Sequence, residues 1–137
     1  MKKLNILFAI LLTAIAFTSC KKEGDDAGIP PAIVFKTIAG YVSADMVVPK
    51  DTTVLIGITA TRTEANDILK TFDASRGYDG AASVSFLNNA LTSASANVYD
   101  YDMPIHVRNQ AGTEKYTFTI LNKDGLKNSV TLTLTVQ

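Results

Sequence analysis

Tyr116-Thr117-Phe118-Thr119-Ile120 alternates large apolar side chains with threonines. After Asn122-Lys123-Asp124-Gly125 the alternation resumes as Val130-Thr131-Leu132-Thr133-Leu134-Thr135-Val136. A period of two is that of a β-strand, in which successive side chains point to opposite faces. Tyr116, Phe118 and Ile120 therefore share one face, with Val130, Leu132, Leu134 and Val136 on the matching face of the returning strand. Asp124-Gly125 supplies the positive-φ position that a tight turn needs, and threonine is favoured on an exposed pleated face. The stretch is a β-hairpin whose apolar face is expected to form one side of a core.

The same period continues upstream. Val54, Ile56, Ile58 and Ala60 alternate, as do Tyr99, Tyr101, Met103, Ile105 and Val107, and residues 33–38 and 42–48 supply shorter strands. Turn chemistry falls between them at Gly40, Pro49-Lys50-Asp51, Arg76-Gly77-Tyr78-Asp79-Gly80 and Asn109-Gln110-Ala111-Gly112. In residues 65–72, Ala65, Ile68, Leu69 and Phe72 also fit a short helix behind Asn66-Asp67. A solitary helix of that length lacks a packing partner, so the segment reads as mainly strand, which completes a second sheet. About seven short strands in roughly a hundred residues are the signature of an all-β, immunoglobulin-like antiparallel sandwich. With one cysteine and no tryptophan the chain lacks the Cys-Trp-Cys pin of antibody domains, which excludes that subclass but not the architecture. Residues 32–137 make one domain and are too few for two.

Ahead of the domain, Lys2 and Lys3 lead an apolar run over residues 6–17 that ends in Thr18-Ser19-Cys20. A basic start, an apolar core too short to span a bilayer and small residues before the cut describe a signal peptide over residues 1–19. Cys20, the sole cysteine, follows that cut and resembles the lipobox cysteine of bacterial lipoproteins. The resemblance implies diacylglycerol on the Cys20 thiol and membrane lipid as its partner. Ser19 suits the motif; Phe17 stands where the family prefers Leu. Ordinary cleavage after Ala14-Ile15-Ala16 is the alternative, and it leaves Cys20 a free thiol. Residues 20–31 form the lipidated cysteine and a charged, Gly-containing tether closed by Pro30-Pro31, a composition that does not order itself. Lys21-Lys22-Glu23 with Asp25-Asp26 resembles the export signal that sends Bacteroidetes lipoproteins to the outside of the outer membrane; a plain solubilising linker is the other reading. With Gly112-Thr113-Glu114-Lys115 ahead of the hairpin, the whole resembles small Bacteroidetes surface lipoproteins with a single immunoglobulin-like domain. The hairpin itself is similar to those of adhesin and polycystic-kidney-disease-type modules. The family brings location and fold, and no catalytic residues.

Little in the domain suggests chemistry. His106 is the only histidine, and no Gly-x-Ser-x-Gly, His-Glu-x-x-His or phosphate-binding glycine loop occurs, so neither an enzyme nor a cofactor is expected. Lys+Arg and Asp+Glu balance at 13 each, and loss of Lys2 and Lys3 with the signal leaves 11 against 13, which argues against nucleic acid. His106 should share a solvated strand face with Asp100, Asp102 and Arg108. Asp100 and Asp102 are candidate calcium ligands if Asp45 or Asp79 lies nearby. Calcium needs about six to eight oxygens, however, and no loop converges them, which favours unligated acids. Tyr78, flanked by Arg76 and Asp79, is an aromatic platform for a ligand, or else packs within its loop. Asp51-Thr52-Thr53 resembles an O-glycosylation motif at Thr52, or is a turn in which Asp51 bonds its own backbone. The expected function is a cell-surface binding or adhesion module whose loops, residues 76–80 or 109–113, engage a glycan or protein. The alternative is an accessory lipoprotein docking on an envelope or nutrient-uptake assembly through an apolar patch that includes Leu55 and Leu121.

Overall fold

The computed structural model describes residues 28–137. The signal peptide, Cys20 and the charged part of the tether lie outside the described residues. The strands are β1 (Ala32–Phe35), β2 (Met46–Val48), β3 (Thr53–Thr61), β4 (Leu69–Tyr78), β5 (Val84–Ala90), β6 (Val98–His106), β7 (Gly112–Asn122) and β8 (Lys127–Val136). They form a three-stranded sheet, β1-β3-β6, against a five-stranded sheet, β2-β8-β7-β4-β5. Every pairing is antiparallel except β2 with β8, which is parallel. The protein is an immunoglobulin-like β-sandwich.

The C-terminal hairpin sits at the centre of the larger sheet in the register its alternation dictates, with Tyr116 opposite Leu132 and Phe118 opposite Val130. Tyr116, Phe118, Ile120, Leu132, Leu134 and Val136 are buried, while Val130 is half-buried at the rim. They meet Ile56, Ile58 and Ala60 of β3 and Met103 and Ile105 of β6. Phe72 of β4 lies among the aromatics, stacked on Phe118 at 6.4 Å between centroids and tilted against Tyr99 at 5.2 Å. Burial of this kind stabilises by about 1.5–3 kcal/mol for each large side chain.

Three expectations are corrected. Among the described residues the strands number eight and not about seven, because β5 escapes the period-two pattern. Its pairing with β4 slips between Ala74 and Ser75, so that Leu87 faces Ala74, Ser85 faces Ser75, and Phe86 is the extra residue of a bulge. Two adjacent apolar residues thus sit in one strand. Next, Arg76, Gly77 and Tyr78 are the end of β4 and not a turn; the chain reverses at Asp79 and Gly80, whose φ values are 51° and 81°. Gly77 is there for a close approach, since a Cβ at that position would lie 2.7 Å from the Ala81 carbonyl oxygen. Finally, strand in residues 65–72 begins only at Leu69. The preceding residues turn, with the Asp67 amide donating to the Glu64 carbonyl, and Asp67 buried where Asn122 donates to it.

The last residues of the tether are tied down. The Ile29 amide donates to Glu64, Thr63 Oγ1 donates to the Ile29 and Pro30 carbonyls, and Asn128 Nδ2 donates to the Pro31 carbonyl. The chain therefore enters the sandwich at the end built by the β3–β4 and β7–β8 connections. The β4–β5 and β6–β7 connections lie at the opposite end, roughly 33 Å away along β7 at the usual strand rise.

Phe118→Ala should cost about 3–5 kcal/mol through lost burial and the cavity left behind, a large part of a small domain's margin. Thr119→Ala, half-buried on the opposite face, should cost under about 1 kcal/mol. Urea titration of the two variants checks this, and equal losses would refute the register.

Candidate functional site: a cationic aromatic end

The two loops that the sequence offers as ligand contacts are brought together at the end remote from the tether. The Asp79 amide donates to the Thr113 carbonyl at 2.9 Å, and Asp79 Oδ1 accepts from the Thr113 amide at 2.8 Å and from Arg108 Nη2 at 2.6 Å. Arg108, followed by Thr113, holds the Asp79 carboxyl down to about 2, while Asp79 raises the pKa of Arg108. Gly112, at φ 143°, lets the chain pass this pair, because a Cβ there would collide with both the Arg108 guanidinium and the Asp79 carboxylate.

Beneath the bridge lies Glu114, with no exposed surface. Its Oε1 accepts from the Arg108 amide at 3.0 Å, and its Oε2 accepts from the Tyr116 hydroxyl. Arg108 Nε is 3.6 Å from the same carboxylate. Burial, reinforced by the bond to Glu114, pushes the Tyr116 phenol far above its ordinary range. Tyr116 is thus a fully protonated donor.

Arg76 and Tyr78 are two apart on β4 and so share a face, the one turned toward the interior of the sandwich. With three strands facing five, this corner of the larger sheet is left open. The Arg76 guanidinium lies 4.8 Å from the Tyr78 ring centroid and 5.3 Å from that of Phe86, and Arg108 lies 4.9 Å from Tyr78. Planar cations over aromatic rings gain electrostatic attraction and hold their orientation. Beside them is a hollow of about 340 Å³ lined by Arg76, Tyr78, Ala81, Ala82, Val84 and Phe86. Val84 is 69% exposed and Phe86 41%.

The other sequence candidates are dispersed. Asp100 accepts from Thr59 and Asp102 from Lys36 (2.7 Å) and Tyr41 (2.9 Å), on the outer face of the smaller sheet. The Lys36 and Tyr41 bonds lower the Asp102 pKa and raise their own. Asp45 accepts from the Thr133 amide on the other sheet, and Asp79 is engaged with Arg108, so these acids do not converge for calcium. Among the described residues no three His, Cys, Asp or Glu side chains are placed to share a metal. His106 is exposed, between Asp51 and Thr53. The Asp51 carboxylate therefore turns to His106 and not to its own backbone. Thr52 is half-buried, with its carbonyl engaged by the Val107 amide. Leu55 and Leu121 are half-buried too. Sequence reasoning missed Phe86, Glu114 and the bridging role of Arg108; an aromatic residue isolated among serines and asparagines was the only signal for Phe86.

No family model matches the chain, and no curated protein matches it. Among solved structures it is similar to the superoxide reductase neelaredoxin from Ignicoccus hospitalis, at 11% identity and a TM-score of 0.55, over 80% of this chain and 81% of that one. It is also similar to the CARDB domain of a Pyrococcus furiosus protein in complex with di-metal ions, at 11% identity and a TM-score of 0.50, over 81% of this chain and 95% of that one. At such identity the likeness is one of fold. The class defined here is an immunoglobulin-like sandwich with one open, cationic aromatic end.

The Asp79 bridge has a defined pH window. Its carboxyl titrates at about 2 when bridged, below the ordinary 3.8, so the bridge is complete above the ordinary value and is lost as pH falls from there through about 2. The amide shift of Thr113 should titrate with a midpoint near the lower value and become flat in Asp79→Asn. A midpoint near the ordinary value would show that the bridge does not form in solution.

Proposed function

We propose that this chain is a non-catalytic binding module, exported and held by acylated Cys20 in the outer membrane, that presents its Arg76–Tyr78–Phe86 end outward to a glycan or protein. The observation that carries the reading is the placement of the two ends. The chain enters the sandwich beside Thr63, Glu64 and Asn128, and the hollow lies at the opposite end. An anchor upstream of Gly28 therefore attaches the domain by the end remote from the hollow. Side chains that combine aromatic area with a cation suit recognition, and here they line an open surface. The charged tether, with Glu23, Asp25 and Asp26, fits delivery to the cell surface, and acylation removes the lone thiol of an exported chain from oxidation.

In cells producing the full chain, an alkyne fatty acid should label the wild type and not Cys20→Ala. An Ala82→Cys variant should react with a membrane-impermeant maleimide on intact cells. Label persisting in Cys20→Ala would refute the anchor. Maleimide reaction only after lysis would refute outward presentation.

A further inference from the structure

We propose that the hollow between β4 and β5 takes an acidic sugar, with the sugar carboxylate on Arg76 and the apolar face of its ring on Phe86 and Val84; this rests on the binding-module reading above. The charge balance of the site is the first ground. Arg108 is already neutralised by Asp79 at 2.6 Å and Glu114 at 3.6 Å. Arg76, among the described residues, has no carboxylate within 4.0 Å. Its guanidinium is nonetheless held in place by Tyr78 and Phe86, so little side-chain entropy remains to be lost on binding. A fixed guanidinium that touches the Tyr116 hydroxyl but no carboxylate matches the two oxygens of an incoming carboxylate through parallel N–H bonds.

The rest of the lining selects the body that carries the acid. Ala81, Ala82, Val84 and Phe86 are apolar and open to solvent at Val84 and Phe86, a shelf on which the C–H face of a pyranose can lie. At about 340 Å³ the hollow is at the small end of ligand pockets, with room for one or two rings. A peptide carboxylate is a poorer match. Such groups are captured by several backbone amides acting together, and three at this end, those of Asp79, Ala81 and Thr113, are spent on Thr113, Tyr78 and Asp79. The bulge in β5 also interrupts the edge that an added peptide strand would need.

The chain from Lys21 onward keeps every described residue and lacks only the signal and the lipidated cysteine. Into it one titrates trigalacturonate, a glucuronate-terminated tetrasaccharide and sialyllactose, with methyl-esterified trigalacturonate and lactose as neutral counterparts and an acetylated tripeptide acid as the peptide arm. At least one acidic sugar should bind and move the amide signals of Ala82, Val84 and Phe86, and its neutral counterpart should bind at least about tenfold more weakly. Arg76→Gln should weaken the acid by a similar factor while the domain keeps a cooperative urea transition and its native amide spectrum away from the hollow, and Arg76→Lys, which keeps the charge but not the fork, should fall between. Equal binding of acid and neutral forms, unchanged in Arg76→Gln, would overturn the acidic-sugar assignment and leave the binding-module reading standing. Binding of the peptide acid alone, or of none of the probes, would overturn it as well; the anchor and the outward presentation are decided separately by the surface-labelling experiment.

Discussion

A carboxylate with no exposed surface, Glu114, is the constraint on which the end of the molecule that carries the hollow depends. Burying a charge is costly unless hydrogen bonds replace the lost water, and here they come from the Tyr116 hydroxyl and the Arg108 amide. In immunoglobulin-like domains a tyrosine near the start of the corresponding strand commonly bonds the backbone a few residues upstream. This chain inserts Glu114 between the two partners. The insertion fixes the β6–β7 connection against β7 and places Arg108 above it. Arg108 in turn fixes Asp79, and Asp79 sets the end of β4, from which Arg76 and Tyr78 project. The hollow is the last link in a chain of dependence that begins with a buried acid.

At the opposite end the attachment of residues 29–31 is organised by weaker means. Hydrogen bonds from Thr63 and Asn128, with one to Glu64, stitch residues 29–31 to two connections, and all of them are exposed or half-buried. Breaking any one costs little, since solvent replaces it. The end with the hollow is thus rigidly specified, whereas the entry of the chain is held by several small and separable contacts.

What the sequence disclosed follows from how far each signal reaches. The β7–β8 hairpin was legible because its alternation is unbroken and its turn is local, so burial of Phe118 and Leu132 needed no knowledge of the other sheet. β5 was hidden because its bulge puts Phe86 beside Leu87, a pattern with no single period. Gly77, Asp79 and Gly80 together looked like one turn, although Gly77 is a point of close packing inside a strand. Arg76 and Tyr78 were recognisable as a pair, and the outward alternation of Asp100 and Asp102 as a polar face. Lys36 and Tyr41, which engage Asp102, come from a distant part of the chain, as Arg108 does for Tyr78. Pairings of that kind are set by tertiary structure, and composition and spacing carry no trace of them.

The opposite placement of tether and hollow also decides how the domain meets mechanical load. A pull between an anchor upstream of Gly28 and a ligand held beside Arg76 runs along the strands, because β1 enters at one end and β4 delivers Arg76 at the other. The β1–β3 ladder, in register from Ala32 with Thr61 to Phe35 with Ile58, is then loaded in shear, so its rungs share the force. A tether leaving across the sheet would peel those rungs one at a time. Resistance to forced unfolding is a matter of rate, and this geometry raises the barrier against a pull applied between Gly28 and the hollow.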